Sequence, residues 1–266
     1  MNMQKYSMKI KEGHMPGNIE QLQSMFKTLK MPYAAASLDE IIKRGIDNNL
    51  TREKFLEEIL LLEIADKEKR KIEKRMKIAG FPEYRTISDF NVNEQRALSQ
   101  KQINQLKELT WLGQGYNIVL LGPTGAGKTL LSVGIGVEAV NSGYNVIFTT
   151  MADLVHMLKT QEISSTTRNR IKRITDSDLL IIDDLMFMAM EKQEANLFFQ
   201  LINRLYGKTS IIITSNKGPE EWGELLGDAA ITTAILDRIV HKCEIVNFQD
   251  NDSYRLKHRT TIFKNS

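Results

Sequence analysis

The stretch from Gly122 to Thr129, Gly-Pro-Thr-Gly-Ala-Gly-Lys-Thr, constrains the fold more than any other part of the chain. It is entered from the apolar run Asn117-Ile118-Val119-Leu120-Leu121 and left through Leu130-Leu131-Ser132-Val133. An apolar run, a glycine-rich loop closing on Lys-Thr and a stretch at helical spacing are the strand, loop and helix of a P-loop. Gly122, Gly125 and Gly127 let the backbone turn tightly and approach a phosphate, so that successive N–H groups and the helix N-terminus point at the anion. Pro123, Thr124 and Ala126 complete that cradle. Lys128 then reaches the β- and γ-phosphates, and the Thr129 hydroxyl is placed for Mg²⁺.

A phosphate loop is half a site, and the chain supplies candidates for the other half. Leu179-Leu180-Ile181-Ile182-Asp183-Asp184 reads as an apolar strand ending in two carboxylates. The strand carrying the first acid is expected beside the P-loop strand, bringing Asp183 to the magnesium shell opposite Thr129 and turning Asp184 toward an attacking water. Ser210-Ile211-Ile212-Ile213-Thr214-Ser215-Asn216 reads as another buried strand ending on an amide. Alone, Asn216 is a turn former; behind a P-loop and an acidic pair, its amide suits orienting water and contacting a γ-phosphate.

These strands alternate with helical stretches. Asn141-Ser142-Gly143 stops the P-loop helix, Tyr144–Phe148 reads as a strand, and Met151–Leu158 and Ala195–Leu205 read as helices. The alternation implies an α/β domain with a parallel sheet covered on both faces. Upstream, a helix is expected from Glu94 to Trp111. Residues 16–80 read as a separate small all-α domain: Ile19, Leu22, Met25, Phe26 and Leu29 mark one buried helix face, Ala34–Ile46 a second helix, and Thr51 caps a third. The expected division is a leader at 1–15, where Gly13-His14-Met15 resembles a cloning scar, a helical domain at 16–80, a linker at 81–95 and the nucleotide-binding domain at 96–266.

Charge matters here through its distribution. The net charge is only +3, but two segments are locally basic: Lys67 to Lys77, with Lys69, Arg70 and Lys74, and Arg168 to Arg173, with Arg168, Arg170, Lys172 and Arg173. A solvated helix face and a surface for nucleic-acid phosphates both fit such runs. No aromatic is interleaved at 168–173, so backbone attraction rather than base stacking is the form a contact would take. The single cysteine, Cys243, forms no internal disulfide and reads as a core thiol in a reducing cytoplasm. No apolar run approaches the roughly 18 residues that cross a bilayer.

The order of P-loop, Asp-Asp strand and Ile-Thr-Ser-Asn strand resembles the AAA+ branch of P-loop ATPases, where Asn216 would be the first sensor residue. Glu221-Trp222, Gly227-Asp228, Ala234-Ile235-Leu236-Asp237-Arg238-Ile239, His241 and Ser253-Tyr254-Arg255 sharpen this. With them the chain resembles the IstB type of insertion-sequence helper ATPase, related in plan to the helicase loader DnaC. The resemblance implies ATP and Mg²⁺ as cofactors and an arginine finger, Arg238, supplied to a neighbouring subunit. Arg255 resembles the second sensor arginine; with eleven residues after it, no C-terminal lid domain is expected. The implied function is ATP-dependent transposition help: a bacterial, cytoplasmic homo-oligomer, bridged by ATP, on duplex DNA with a cognate transposase of the IstA type and no membrane partner. A replicative helicase loader is the alternative. A small-molecule kinase fits less well, because Asn216 and Arg238 suit hydrolysis by water across an interface.

Overall fold

The computed structural model describes residues 19–92, 97–185, 190–223 and 228–248. The leader, Gly227, Arg255 and the segment on which the lid expectation rests lie outside them. The chain divides into two compact units after Lys71.

The first unit is helical. Its elements are α1 (Ile19–Thr28), α2 (Pro32–Ala36), α3 (Leu38–Asp47) and the start of α4 (Arg52–Ala79). Ala34, Ile41 and Ile59 are its buried cluster, with Phe26, Met31, Phe55 and Leu62 packed against it. Glu63, 2% exposed, reaches the start of α2, where its Oε2 accepts the Ala34 N–H at 2.9 Å. The expected buried face of α1 is not found: none of its residues is buried, and Ile19, Leu22 and Met25 are exposed. A unit this small has too little interior to enclose a whole helix face.

The second unit starts inside α4 rather than at 80–95. Ile72, Met76, Ile78 and Ala79 pack into the core of the nucleotide-binding unit, so the helix end belongs to that unit. After a 3₁₀ turn at Ile87–Asp89 come α5 (Gln100–Lys107) and α6 (Thr110–Gly113). The single helix expected here is broken at Leu109, whose φ of 56° is left-handed. The remainder alternates between strands and helices: β1 (Asn117–Leu121), α7 (Lys128–Asn141), β2 (Val146–Thr150), α8 (Met151–Thr160), α9 (Ser165–Thr175), β3 (Leu179–Asp183), α10 (Lys192–Leu205), β4 (Ser210–Ser215), α11 (Ala229–Val240) and β5 (Cys243–Asn247).

The strands form one parallel sheet in the order β2-β3-β4-β1-β5. Val119, Leu121, Leu180, Ile182, Ile211 and Ile213 face one core with α8 to α11. Ile118, Leu120, Leu179, Ile181 and Ile212 face the other with α5 to α7. This two-residue alternation between two cores is why the central strands read as unbroken apolar runs.

Two expectations are corrected. β3 does not lie beside β1; β4 is inserted between them, pairing Leu120 with Thr214 on one side and Ile181 with Ile212 on the other. The helical crossover through α7 carries the chain past two places in the sheet, which β3 and β4 then fill. The strand β5 was not anticipated: at the sheet edge only Val246 of its five residues is buried, so no apolar run announces it. Cys243, which opens β5, is half-buried, and burial pushes its thiol up to about 12. It is a packing residue rather than a nucleophile.

Candidate active site

Residues from four segments meet at the carboxyl ends of β1, β3 and β4. Leaving β1, the loop takes positive φ at Gly122 (150°), Gly125 (84°) and Gly127 (96°), conformations open to glycine. At Gly122 a side chain would also collide with Phe248, whose N–H donates to the Leu121 carbonyl at 2.7 Å. Lys128 opens α7; its Nζ donates to the carbonyls of Gly122 at 2.7 Å and Pro123 at 2.9 Å, so the buried ammonium sits inside the curve of the loop.

Thr129 Oγ1 lies 3.0 and 3.1 Å from the two oxygens of Asp183. Although β4 separates their strands, the two groups meet, and the inserted strand contributes to the same cluster. Thr214 Oγ1 donates to Asp183 Oδ1 at 2.6 Å and accepts the Asp184 N–H at 2.9 Å, while the Thr214 carbonyl accepts the Leu185 N–H. Thr214 thus holds the turn that follows β3. Asp184 takes a left-handed φ of 54°, which aspartate tolerates better than most residues. The turn sends the two carboxylates different ways: Asp183 is buried against Thr129, and Asp184 is exposed.

Burial pushes the Asp183 carboxyl above its ordinary range, against hydrogen bonds from Thr214 and Thr129 that pull it down; the Asp184 charge adds to the upward push. A buried carboxylate beside a hydroxyl, both presenting oxygen, fits a hard divalent cation. Among the described residues no group of three or more His, Cys, Asp or Glu could hold a metal by itself. Thr129 and Asp183 could hold such a cation only together with ligands from outside this cluster.

Asp184 and Asn216 line one cavity of about 300 Å³ with Thr124, Gly125, Lys128 and Thr129. Asn216 is set by Ser215, whose hydroxyl donates to the Lys217 carbonyl and accepts the Lys217 N–H, making a tight turn after β4. The same cavity is lined by residues of the stretch expected as a linker: Glu83, Arg85, Asp89, Phe90 and Asn91. Two glycines bring the linker there. A Cβ at Gly134 would meet the Ile87 nitrogen at 2.8 Å, and one at Gly136 would meet the Phe81 ring at 2.7 Å. Thr86 and Asp89 then close a capping box, and the Phe90 ring stands edge-on to Phe248 at 6.2 Å. Glycine inside an apolar helix was the available signal.

Arg238 lies elsewhere. Its Nε donates to Asn203 Oδ1 at 3.1 Å, an Nη donates to the Ala234 carbonyl at 2.7 Å, and the guanidinium stands 5.0 Å from the Phe199 ring centre. It lines a separate cavity of about 210 Å³ with Asn117, Thr209 and His241, at the strands' amino ends. The five residues of β1, rising roughly 3.3 Å each, separate Asn117 from the P-loop. Asn117 ties that end together: its Nδ2 donates to the Ile239 carbonyl and its Oδ1 accepts the Ile211 N–H.

The basic candidates divide. Arg70, in the first unit, pairs with Asp66 at 2.6 Å and Glu63 at 3.4 Å, while Lys69 and Lys74 are exposed. Arg168 donates to the carbonyls of Gln161 and Glu162. Arg170 is corrected: half-buried, it donates to the carbonyls of Ile78 at 2.6 Å, Ala79 at 3.3 Å and Phe148 at 3.1 Å. It braces α9 to the end of α4 and has no reach left for a nucleic-acid phosphate. Lys172 and Arg173 are exposed.

Thr214→Val keeps the shape and removes the hydroxyl, leaving the Asp184 N–H unsatisfied. We expect a loss of about 1–3 kcal/mol of stability and slower hydrolysis, with Thr214→Ser close to wild type. Thermal melts beside phosphate-release assays check this; an unchanged Thr214→Val would remove Thr214 from the site.

Comparisons place this geometry among known proteins. A family model described as IstB-like ATP binding protein matches residues 24–262. An IS21-like insertion-sequence ATP-binding protein of Bacteroides fragilis is 35% identical over 246 residues, covering 92% of this chain and 93% of that protein. An IS21 ATP-binding protein of Pseudomonas aeruginosa is 33% identical over 241 residues, covering 91% of each. Among solved structures, AMPPCP-bound DnaA from Aquifex aeolicus matches with a TM-score of 0.52 and 26% identity, over 66% of this chain and 53% of that one. This chain thus spans about half the length of the DnaA chain it matches, and the shared part is the AAA+ fold.

Proposed function

We propose that this chain, which belongs to the IstB-like ATP-binding protein family, is a cytoplasmic transposition helper: it assembles with ATP on duplex DNA and directs a partner transposase of the IstA type to its target. The chain is a P-loop ATPase of the AAA+ type. What goes beyond that, assembly and DNA, rests above all on one observation. Lys128, Asp184 and Asn216 line one cavity at the carboxyl ends of the strands, while Arg238 lines another at the amino ends. The length of β1, roughly 3.3 Å for each of its five residues, exceeds the reach of an arginine side chain, so in this reading Arg238 acts at the site of a second copy, while Arg85 is the arginine that the chain's own cavity contains.

In this reading the loop N–H groups and Lys128 bind the β- and γ-phosphates of ATP, with Thr129 and Asp183 holding Mg²⁺. The ion, when bound, supplies charge neutralisation at those phosphates. Asp184 accepts a hydrogen bond from the attacking water and Asn216 orients it toward the γ-phosphorus. The neighbour's Arg238 stabilises charge on the transferred phosphoryl group. Hydrolysis and phosphate release remove what the arginine was holding, and the joint opens. The link to insertion sequences is carried by the names of the relatives that match over nine-tenths of their length.

Binding of a mixed-sequence duplex, followed by anisotropy across a salt series, tests the assembly. ATP is expected to raise affinity over ADP, with log affinity falling linearly in log salt. Equal binding with ATP, ADP and no nucleotide would contradict the proposal.

A further inference from the structure

We propose that the two basic segments, nearly a hundred residues apart in sequence, form one composite site for the phosphate backbone of nucleic acid, centred on Arg75 and Arg173. The inference rests on the duplex-DNA reading above and names where that DNA is held.

The brace made by Arg170 is what joins the segments. By bonding to the carbonyls of Ile78 and Ala79, it docks α9 against the last turns of α4. Arg75 stands about one turn before Ile78 on α4, and Arg173 about one turn after Arg170 on α9. Both line a concavity of about 250 Å³ whose floor is the start of β2 at Asn145–Ile147. Among the described residues neither guanidinium has a hydrogen-bond or ion-pair partner. Among the described residues the one acid lining the concavity is Asp176; the nearby Asp178 carboxylate accepts the Asn145 N–H at 2.7 Å.

Two guanidiniums sharing a recess repel each other, and a recess with low-dielectric walls concentrates their field. An anion relieves that repulsion, and the planar fork of arginine matches two oxygens of a phosphate. The charge also continues beyond the recess: Lys74 and Lys77 on α4 and Lys172 on α9 are exposed. The segment Ser165–Thr175 carries Arg168, Arg170, Lys172 and Arg173 and no acid. A row of cations longer than one phosphate fits a polyanion better than a small metabolite. Among the described residues no aromatic lines the recess, so the contact reads backbone charge and leaves base sequence unread.

The test uses the full chain with ATP and a mixed-sequence duplex, measured by anisotropy across a salt series. Arg75→Glu with Arg173→Glu is expected to weaken binding about tenfold or more and to lower the salt slope by about 2, one for each lost phosphate contact. Arg75→Lys with Arg173→Lys keeps the charge and is expected to keep the slope. If charge reversal lowers the melting midpoint, Arg75→Gln with Arg173→Gln reads the same slope without introducing repulsion. A wild-type slope in the neutral or reversed pair, from a protein whose wild type binds DNA with ATP, would overturn this site and leave the duplex-DNA reading standing. A wild type that binds no DNA with ATP would overturn both.

Discussion

Lys128→Ala is expected to abolish two things together: ATP hydrolysis, by at least about a hundredfold, and ATP-dependent assembly on duplex DNA. The first loss follows from chemistry. The Lys128 ammonium is buried inside the curve of the loop, held by two loop carbonyls, and alanine removes the charge proposed to meet the β- and γ-phosphates. The second follows from the proposed joint between copies. If ATP is the element that a neighbour's Arg238 grips, a loop that cannot hold ATP also cannot hold the neighbour. Phosphate release, and sedimentation with duplex DNA and ATP, measure the two effects separately. A Lys128→Ala protein that lost hydrolysis yet assembled normally with ATP would confine the loop to chemistry.

Arg238→Ala is expected to lower hydrolysis by about 10³–10⁵, the range for an arginine finger on phosphoryl transfer, while nucleotide binding by the isolated subunit stays near wild type. The difference from Lys128→Ala lies in that split. Arg238 is steered by Asn203, Ala234 and Phe199 and is not among the described residues that line the Lys128 cavity, so its loss leaves the phosphate cradle intact. Arg238→Lys is expected to recover little, because one ammonium replaces a planar fork that is positioned by two hydrogen bonds and a ring. Fluorescent-nucleotide binding beside turnover assays separates the effects. Loss of binding in step with turnover would show that Arg238 supports its own chain's site.

What the sequence made legible follows a physical division. The P-loop, the acidic pair and Asn216 were readable because phosphate chemistry needs those residue types at fixed offsets, and the strands because burial on both faces leaves unbroken apolar runs. Sheet order was not readable: nothing local in Leu179–Asp183 or Ser210–Ser215 says which of them pairs with β1. The insertion of β4 therefore came as a correction, and with it Thr214, a hydroxyl at the end of an isoleucine run that reads as one more strand residue. Edge strand β5 buries too little to leave a pattern. Charge alone could not separate Arg170 from its neighbours. Its position beside Ile171 and near Ile174, both buried, puts it at the margin of the inward face, which is where the brace lies. The boundary between units was obscured for a related reason: α4 runs unbroken through it, and only packing assigns Ile72–Ala79 to the second unit.

Arg238 lies at one end of the sheet and the P-loop at the other; if Arg238 serves the site of a second copy, as proposed, mixing the two variants measures that directly. Lys128→Ala keeps the arginine and lacks the cradle; Arg238→Ala keeps the cradle and lacks the arginine. Each alone is expected to be inactive, and an equal mixture with ATP and duplex DNA is expected to regain hydrolysis, because an intact loop of one variant meets an intact Arg238 of the other. A mixture no more active than its components, formed from proteins that each fold and that sediment together once mixed with ATP and duplex DNA, would contradict a site shared between subunits.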